Sequence, residues 1–238
     1  MFKPFPIGYF TIHVPNYLLL MECQYCHQTC RKAGRQKNGT QKLFCINCKK
    51  YQQTEYKYQA CKPSVVSMIP KLLCESVCIR GIARILNIAT TTVISKIISI
   101  AAAIPKPPIP CNRRAFEMDE VRTYVGKKGN EYWIAYALCS DTKQVVDFTV
   151  GKRSKRVLRS VVNTLLLSGV QTIKTDKLNI YSALIPPARH ISAAYNINHI
   201  ERNNLNLRTH LKRLSRRTIC YSKKRIMLES CLKIYFWS

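Results

Sequence analysis

The stretch AFEMDEVRTYVGKKGNEYWIAYALCSDTKQVVDFTVGKR (115–153) decides the fold of the C-terminal half of this chain. It contains three apolar or alternating runs, at 116–125, 131–139 and 144–150, and the turn-forming sequences KKGN and SDTK separate them. Runs of this length joined by short turns predict three antiparallel strands that follow one another as a meander.

The residues that follow extend the sheet and cover it with helices. SKRVLRSVVNTLLLSG (154–169) has the spacing of an amphipathic helix closed by a glycine, and VQTIKTD (170–176) predicts a fourth strand. A last helix is predicted over 198–217. Its buried side consists of Ile200, Leu207, Leu211 and Leu214. Three strands, a helix, a strand and a helix predict a mixed β-sheet with flanking helices over 114–238.

Three carboxylates fall where this order of elements can bring them together. Asp119 lies within the first strand, Asp176 ends the fourth strand beside it, and Glu201 opens the last helix. A carboxylate inside an apolar strand is unfavourable unless it is paired or bound to a metal ion. Three oxygen ligands suit Mg²⁺ or Mn²⁺, and two such ions serve phosphoryl chemistry. Scattered structural ion pairs are the alternative interpretation.

Other acidic residues have weaker claims to that site. Glu117 and Glu120 flank Asp119, and strand alternation places Glu117 on the face of Asp119 and Glu120 on the opposite face. Asp141 lies in a turn, and Asp147 lies near a strand end. The remaining candidates have the setting of solvent-exposed side chains: Glu55, Glu75 and Glu229.

The segment 21–60 contains two CxxC pairs, CQYC (23–26) and CINC (45–48). Each pair offers two thiolates on a tight turn, and two such turns close a tetrahedral Zn²⁺ site of the zinc-ribbon type. The predicted ligands are Cys23, Cys26, Cys45 and Cys48. Two local disulfides are the alternative, and Cys30 is a possible replacement for Cys26.

A helix-turn-helix is predicted within the segment 61–104, over IRGIARILNIATTTVISKII (79–98). Asn87 can adopt the left-handed conformation of the turn, and Thr90 can cap the second helix. A plain helical hairpin is the alternative. Two apolar stripes are predicted, of Ile82, Ile85 and Leu86 and of Val93, Ile94 and Ile97. The outward positions, toward base edges and phosphates, are Thr91, Thr92, Ser95 and Lys96.

The linker, the first twenty residues and the overall cysteine pattern are less informative than these motifs. The proline-rich bridge 105–113 predicts a semi-rigid linker between the helical and sheet segments. The first twenty residues lack a small-residue cleavage site and stay an unassigned extension. No apolar run has the length of a membrane span, and the cysteine pattern is typical of the reducing cytosol of a cell.

The charge of the chain points to a polyanionic partner. Thirty-nine Lys and Arg residues against twelve Asp and Glu residues give a formal net charge of +27 in 238 residues. Such an excess repels itself in the folded state, and binding to nucleic acid relieves the repulsion. A hydrophobic content of 47% nevertheless supports a packed core, so the chain is not a disordered basic tail.

Several of these motifs together resemble the transposases of the insertion sequence 1 family. The resemblance rests on CQYC and CINC, on MDEVRTYVG (118–126) and on ERNNLNLRTHLKRLSRRTICYSK (201–223), in this order. It implies a zinc finger and helix-turn-helix that bind the terminal inverted repeats of a mobile element. An RNase H-like domain with a DDE triad is also implied, and by motif the triad is Asp119, Asp176 and Glu201.

The reaction implied is metal-dependent cleavage and strand transfer on double-stranded DNA. Because two DNA ends must be brought together, a homo-oligomer is expected on the DNA. The phosphates of the substrate would be held along the last helix, and a solvated basic face is the alternative role of the side chains concerned. They are Arg202, Arg208, Lys212 and Arg213.

Two other functions compete with this hypothesis. A tyrosine recombinase would use Tyr221 as a nucleophile with Arg213 and His210, and it would need no divalent metal ion. A non-enzymatic DNA-binding regulator would need the N-terminal hundred residues alone.

Overall fold

The computed structural model describes residues 21–109, 115–192, 197–215 and 217–238. The predicted extension 1–20 and the end of the predicted linker, 110–113, lie outside the described residues. The chain divides into two compact units, the first ending at Lys57 and the second covering Tyr58–Ser238.

The first unit contains a three-stranded antiparallel sheet with a very small core. Its strands are β1 (Cys30–Arg35), β2 (Gln41–Cys45) and β3 (Tyr51–Gln53), with β2 in the middle. Leu43 packs with cysteine side chains in this core. So little buried apolar surface does not stabilise a fold by itself, and a structural metal ion is one way to compensate.

The second unit begins with three helices. They are α1 (Pro63–Cys74), α2 (Ile79–Leu86) and α3 (Thr90–Ala103). Asn87 has φ 50° and ψ 50°, the left-handed conformation that the sequence predicts for the turn. The axes of α2 and α3 are bent by 105°. In the described residues no single helix has the length and hydropathy of a membrane span, although this bent pair passes that test as a pair.

Three details of these helices differ from the sequence-based expectation. Ile85 and Ile94 are exposed, because each lies at the edge of its apolar stripe and points away from the buried Ile82, Val93 and Ile97. The predicted cap is also wrong: α3 begins at Thr90 itself, and Ala89 stands at the cap position, without a side-chain hydrogen bond.

The main sheet has five strands in the order β6-β5-β4-β7-β8. The predicted meander is β4 (Ala115–Tyr124), β5 (Glu131–Cys139) and β6 (Val145–Gly151), all antiparallel. The predicted fourth strand, β7 (Thr172–Thr175), lies beside β4 as expected, and the two strands are parallel. The last strand, β8 (His190–Ser192), pairs with β7 and was not predicted.

Four further helices flank this sheet. They are α4 (Lys155–Leu167), α5 (Asn179–Ser182), α6 (Asn198–His210) and α7 (Arg225–Trp237). Short 3₁₀ turns occur at Gln59–Cys61, Pro187–Arg189 and Lys212–Leu214.

Each face of the sheet packs against its own set of helices. On one face Phe116 and Met118 of β4 pack with Leu158 of α4 and Tyr181 of α5. On the other face, side chains such as Val121 pack in a core shared with α6, α7 and the helices α1–α3. The alternation of side chains along β4 produces the two faces, so consecutive residues of this strand meet different helices.

The last predicted helix was wrong at its C-terminal end. Helix α6 stops at His210 instead of 217, and the chain continues through the 3₁₀ turn. Leu211 and Leu214 are buried as predicted, but they reach the core from outside the helix. Helix α7, which the sequence analysis missed, packs against α3 and β6.

Candidate functional site

The four paired cysteines converge in the first unit. One Sγ atom from each of Cys23, Cys26, Cys45 and Cys48 lies within 4.8 Å of every other. Contacts of 3.5 Å join Cys23 to Cys48 and Cys26 to Cys45, so they cross between the two CxxC turns. A Zn²⁺ tetrahedron with bonds of about 2.3 Å has edges of about 3.8 Å. The arrangement fits a zinc site, and it does not fit two local disulfides.

The charges in this cluster favour a bound cation. Although burial opposes ionisation, backbone amides of Tyr25 and Cys26 lower the pKa of Cys23 to about 6. Burial raises the pKa of Cys48 to about 12 and that of Cys30 to about 11. A thiol that ligates a metal ion is deprotonated. For Cys48 to become a ligand, the charge of the bound cation has to offset the effect of burial on its pKa. Cys30 is buried beside the four sulfurs but is not one of the mutually close set.

A second cluster consists of carboxylates on the main sheet. One oxygen from each of Asp119, Glu120 and Asp176 lies within 4.8 Å of the others. Asp119 is in β4. Asp176 is the first residue after β7, which ends at Thr175. The predicted meeting of these two aspartates therefore occurs.

Glu120 is the member of this cluster that the sequence analysis rated too low. Its side chain does point to the opposite face from Asp119, as alternation requires: Tyr181 Oη donates to Glu120 Oε1 over 3.0 Å. Arg153 contacts the other oxygen at 3.3 Å. The register of β4 with β7 runs to Glu117↔Lys174, which puts Asp176 level with Asp119, and one of its oxygens lies within 4.8 Å of oxygens of both Asp119 and Glu120. No pattern in the sequence reveals where β7 stops.

Burial and mutual repulsion act on Asp119 and Glu120, the two acids of the cluster that lie in β4. Burial raises the pKa of Asp119, and the charges of Asp176 and Glu201 add to this effect. Two donors oppose it: the amide of Glu120 at 2.7 Å and the side-chain amide of Asn204 at 2.6 Å. Burial also raises the pKa of Glu120, against the opposing contacts with Tyr181 and Arg153. A cation between such groups would relieve the repulsion.

Glu201, the third predicted acid, lies in the first turn of α6 and is exposed. It stands three residues before Asn204, so the two side chains share one face of the helix. Because Asn204 contacts Asp119, this face is directed toward the aspartates. Glu201 is outside the set of mutually close oxygens, but its charge acts on Asp119.

A buried hydrogen-bond network fixes α6 against the sheet. Glu117 Oε2 accepts from the amide of Ile200 at 2.9 Å, at the N-terminal end of the helix. Tyr136 Oη donates to Asn204 Oδ1 at 2.6 Å and accepts from Asn203 Nδ2 at 3.2 Å. Glu117 thus shares the face of Asp119, as predicted, and it serves as an anchor for the helix that carries Glu201.

The predicted phosphate-binding cations are spread over more than one element. Arg202 on α6 is exposed, and Arg208 donates to the carbonyl of Leu214 at 3.2 Å. Lys212 and Arg213 lie in the 3₁₀ turn, not on the helix, because α6 ends before them. Arg213 is buried and donates to Ser222 Oγ at 2.8 Å.

The residues proposed for a tyrosine recombinase have separate contacts. His210 Nδ1 bonds Tyr235 Oη at 2.8 Å, and Tyr221 lies beneath Lys223 Nζ at 4.6 Å from its ring centroid. Arg213 bonds Ser222, as stated above. Within the described part of the chain, no contact joins Tyr221, Arg213 and His210.

The predicted DNA-facing side chains of α3 differ in their exposure. Thr91 and Ser95 are exposed, and Thr92 and Lys96 are half-buried. Val93, between them, is fully buried. The outward face of α3 therefore carries Thr91 and Ser95 together with the exposed Ile94.

Comparison with known proteins identifies the family. A sequence model of the IS1 transposase family matches residues 114–236, the range that contains the sheet, α6 and the acidic cluster. This chain belongs to the IS1 transposase family. As an IS1 transposase, it has the function of a DNA transposase.

Individual relatives agree with this assignment. The chain is 35% identical over 107 residues to the insertion element iso-IS1n protein InsB of Shigella dysenteriae, covering 45% of this chain and 82% of that protein. It is 36% identical over 107 residues to the IS1 protein InsB of Shigella sonnei, with the same coverage. The IS1 9 protein InsB of Escherichia coli K12 is 36% identical, over 45% of this chain and 64% of that protein.

A solved structure also shows a distant similarity to this IS1 transposase. It is a chain of the simian T-cell lymphotropic virus intasome in complex with PP2A regulatory subunit B56 gamma. The similarity covers 59% of each chain, with 19% identity and a TM-score of 0.33.

Proposed function

We propose that this IS1 transposase cleaves and joins DNA at a site formed by Asp119, Asp176 and Glu201. One observation carries the proposal: two half-buried aspartates, one in β4 and one directly after the neighbouring parallel strand β7, approach within 4.8 Å, and the helix that bears Glu201 is bonded to Asp119. The catalytic domain is proposed to be RNase H-like and to span 114–238.

The donor set suits divalent cations. Carboxylate oxygens are the preferred ligands of Mg²⁺ and Mn²⁺, and the crowded negative charge of Asp119, Glu120 and Asp176 is unfavourable without a cation. When bound, two such ions would supply charge neutralisation at the scissile phosphate and at the attacking and leaving oxygens.

The reaction consists of two displacements at phosphorus. In the first, water attacks the phosphodiester at the element's end, the bond to the 3′ oxygen breaks, and a 3′-hydroxyl is released. In the second, that hydroxyl attacks a target phosphodiester, forms the new bond and releases a target 3′-hydroxyl. The protein contributes mainly positioning and electrostatics to both steps. Asn204 and the amide of Glu120 hold Asp119. Arg202, exposed and next to Glu201 on α6, is proposed to bind phosphate.

Replacement of Glu201 by Gln tests the triad. We expect Glu201→Gln to abolish cleavage and joining of labelled end DNA in Mg²⁺ while binding of the same DNA is retained. Glu229→Gln, at a half-buried acid of α7 paired with Arg225, is the matched control and should remain active. Full cleavage by Glu201→Gln would remove this residue from the site.

The tyrosine alternative is tested in the same assay. Tyr221→Phe should cleave at the wild-type rate, and no covalent protein–DNA product should accumulate. Loss of cleavage in this variant, together with such a product in the wild type, would replace the proposed mechanism with nucleophilic catalysis by tyrosine.

DNA-end recognition is proposed for the N-terminal segments, a zinc ribbon over 21–60 and a helix-turn-helix over 61–104. The 105° bend of α2 against α3 falls in the range of about 90–120° typical of this motif, and Asn87 supplies the turn. Ser95→Ala with Lys96→Ala should weaken binding to inverted-repeat DNA more than Lys71→Ala, a substitution on α1. Equal binding by both would remove α3 from the interface.

The assembly on DNA is proposed to contain at least two copies of the chain. Strand transfer joins both ends of one element to a target, and each end needs an active site. Light scattering of the protein with and without a pair of end duplexes measures the number of copies directly.

A further inference from the structure

A strongly basic cleft lies beside the proposed catalytic site. Its volume is about 490 Å³, and five cationic side chains line it: Arg122, Lys128, Arg208, Arg213 and Arg217. No carboxylate is among the side chains that line it in the described residues. The volume lies in the range of about 300–1,000 Å³ that is typical of ligand pockets.

The walls of the cleft come from two segments that are bonded to each other. One wall is the end of β4 with the turn into β5, and the other is the chain that follows α6. The amide of Gly126 donates to the carbonyl of Ser222 at 2.9 Å, and Val125 forms a parallel bridge with Ser222. The cleft is therefore part of the folded framework and not a gap between exposed side chains.

The state of Arg213 indicates that the cleft is built for an anion. Its side chain is 8% exposed, and its hydrogen bond to a side chain goes to the neutral hydroxyl of Ser222. A buried cation without a carboxylate is unfavourable unless another negative group compensates it. Arg122 has an acidic partner, Glu131, at 2.9 Å.

The position of the cleft suggests which anion it receives. Arg122 and Tyr124 lie three and five residues after Asp119 on the same strand, a distance of about 10–17 Å at about 3.3 Å per residue. One strand of DNA advances about 3.4 Å per nucleotide along the duplex. The cleft is thus about three to five nucleotides away from the phosphodiester at the acids.

We propose that this basic cleft binds backbone phosphates of the DNA strand that is cut, about three to five nucleotides from the scissile phosphodiester. The inference rests on the proposed function for the position of the cut. The chemistry of the cleft selects phosphate charge and not base identity, so the contact positions the strand and is insensitive to sequence.

The test uses the full-length protein and a pre-cut duplex that ends in the free 3′-hydroxyl. Single phosphates of that strand are replaced, one duplex at a time, by neutral methylphosphonates, and the dissociation constant is measured without added Mg²⁺. The cleft variant is Lys128→Gln with Arg217→Gln, two exposed positions whose substitution leaves the core intact. The control is Lys155→Gln with Arg159→Gln on α4, at the other face of the sheet, with the same change in charge.

We expect the wild type and the control to lose about tenfold in affinity when a phosphate within the window is neutral, about the size of one charge-assisted hydrogen bond. The cleft variant should lose this sensitivity at those positions only, as coupled partners do. Equal sensitivity of all three proteins at every position would overturn the inference. So would wild-type affinity for a free mononucleotide that rivals its affinity for the duplex, because the cleft would then be a small-molecule site.

Failure of the proposed function has a separate signature. It would appear as absence of cleavage by the wild type in Mg²⁺, whereas the phosphate replacements report binding without any reaction.

Discussion

Asn204 Nδ2 donates to Asp119 Oδ2 over 2.6 Å and ties helix α6 to strand β4. The same helix carries Glu201 one turn earlier. The relative position of two proposed catalytic acids therefore depends on a neutral amide that no acidic motif would reveal. Tyr136 in turn holds the oxygen of that amide, so its orientation is fixed from the sheet.

Replacement of Asn204 by Leu should reduce catalysis without loss of DNA binding. The substitution keeps a side chain branched at Cγ but removes the donor to Asp119, and loss of such an outer contact lowers activity or metal affinity by about 10- to 100-fold. Single-turnover cleavage of end DNA measures the effect. Asn206→Leu, two residues further along α6 and therefore on a different face, should keep close to wild-type activity. Equal activity of the two variants would contradict the positioning role of Asn204.

Glu120 is expected to contribute to metal affinity. Glu120→Gln keeps an oxygen that accepts from Tyr181 but removes the negative charge near Asp119 and Asp176. The Mg²⁺ concentration for half-maximal cleavage should rise by about tenfold, in the range known for weakened metal sites. Glu229→Gln should leave it unchanged. An unaltered Mg²⁺ requirement in Glu120→Gln would show that this acid is structural.

Zinc content should distinguish Cys45 from Cys30. Cys45→Ser removes one of the four mutually close sulfurs, so we expect purified protein to lose its zinc and its affinity for end DNA. Cys30→Ser lies in the same small core but outside that set, and it should retain one zinc ion per chain. Elemental analysis measures the zinc content of both variants. Zinc loss in Cys30→Ser but not in Cys45→Ser would make Cys30 the ligand in place of Cys45.

Tyr136→Phe should destabilise the second unit. The buried hydroxyl contacts Asn203, Asn204 and the carbonyl of Ile200, and its removal leaves their polar groups without this partner. A loss of about 1–2 kcal/mol in the free energy of unfolding is expected. Tyr132→Phe, at a half-buried position of the same strand, is the control. Denaturant titration measures both, and identical midpoints would contradict the network.

The sequence was most informative where turns and alternation coincide. KKGN and SDTK bound the meander, and the strands lie within one or two residues of their predicted limits. The pairing of β7 with β4 followed from the order of elements and brought Asp119 and Asp176 together as predicted. Each of these features depends on local turn chemistry or on side-chain period, both of which a single sequence displays.

Other features depend on tertiary contacts. Helix α6 has no glycine or proline at its end, and it stops because Leu211 leaves the helix to enter the core. Strand β8 has three residues, too few to show alternation. The place of Glu120 in the acidic cluster depends on where β7 ends, just before Asp176. The buried Arg213 is bonded to Ser222, and no spacing in the sequence indicates that contact.

The shared core of the second unit fixes the distance between helix α3 and the acidic cluster on the sheet. Helix α3 packs against α7, α7 packs against β6, and β6 belongs to the sheet that carries Asp119. If α3 contacts the repeat and the acids cut the DNA, as proposed, the protein fixes the distance between the recognised bases and the bond that is broken. Extra base pairs inserted between a bound repeat and its end should leave the nick at a constant offset from the repeat, inside the added DNA.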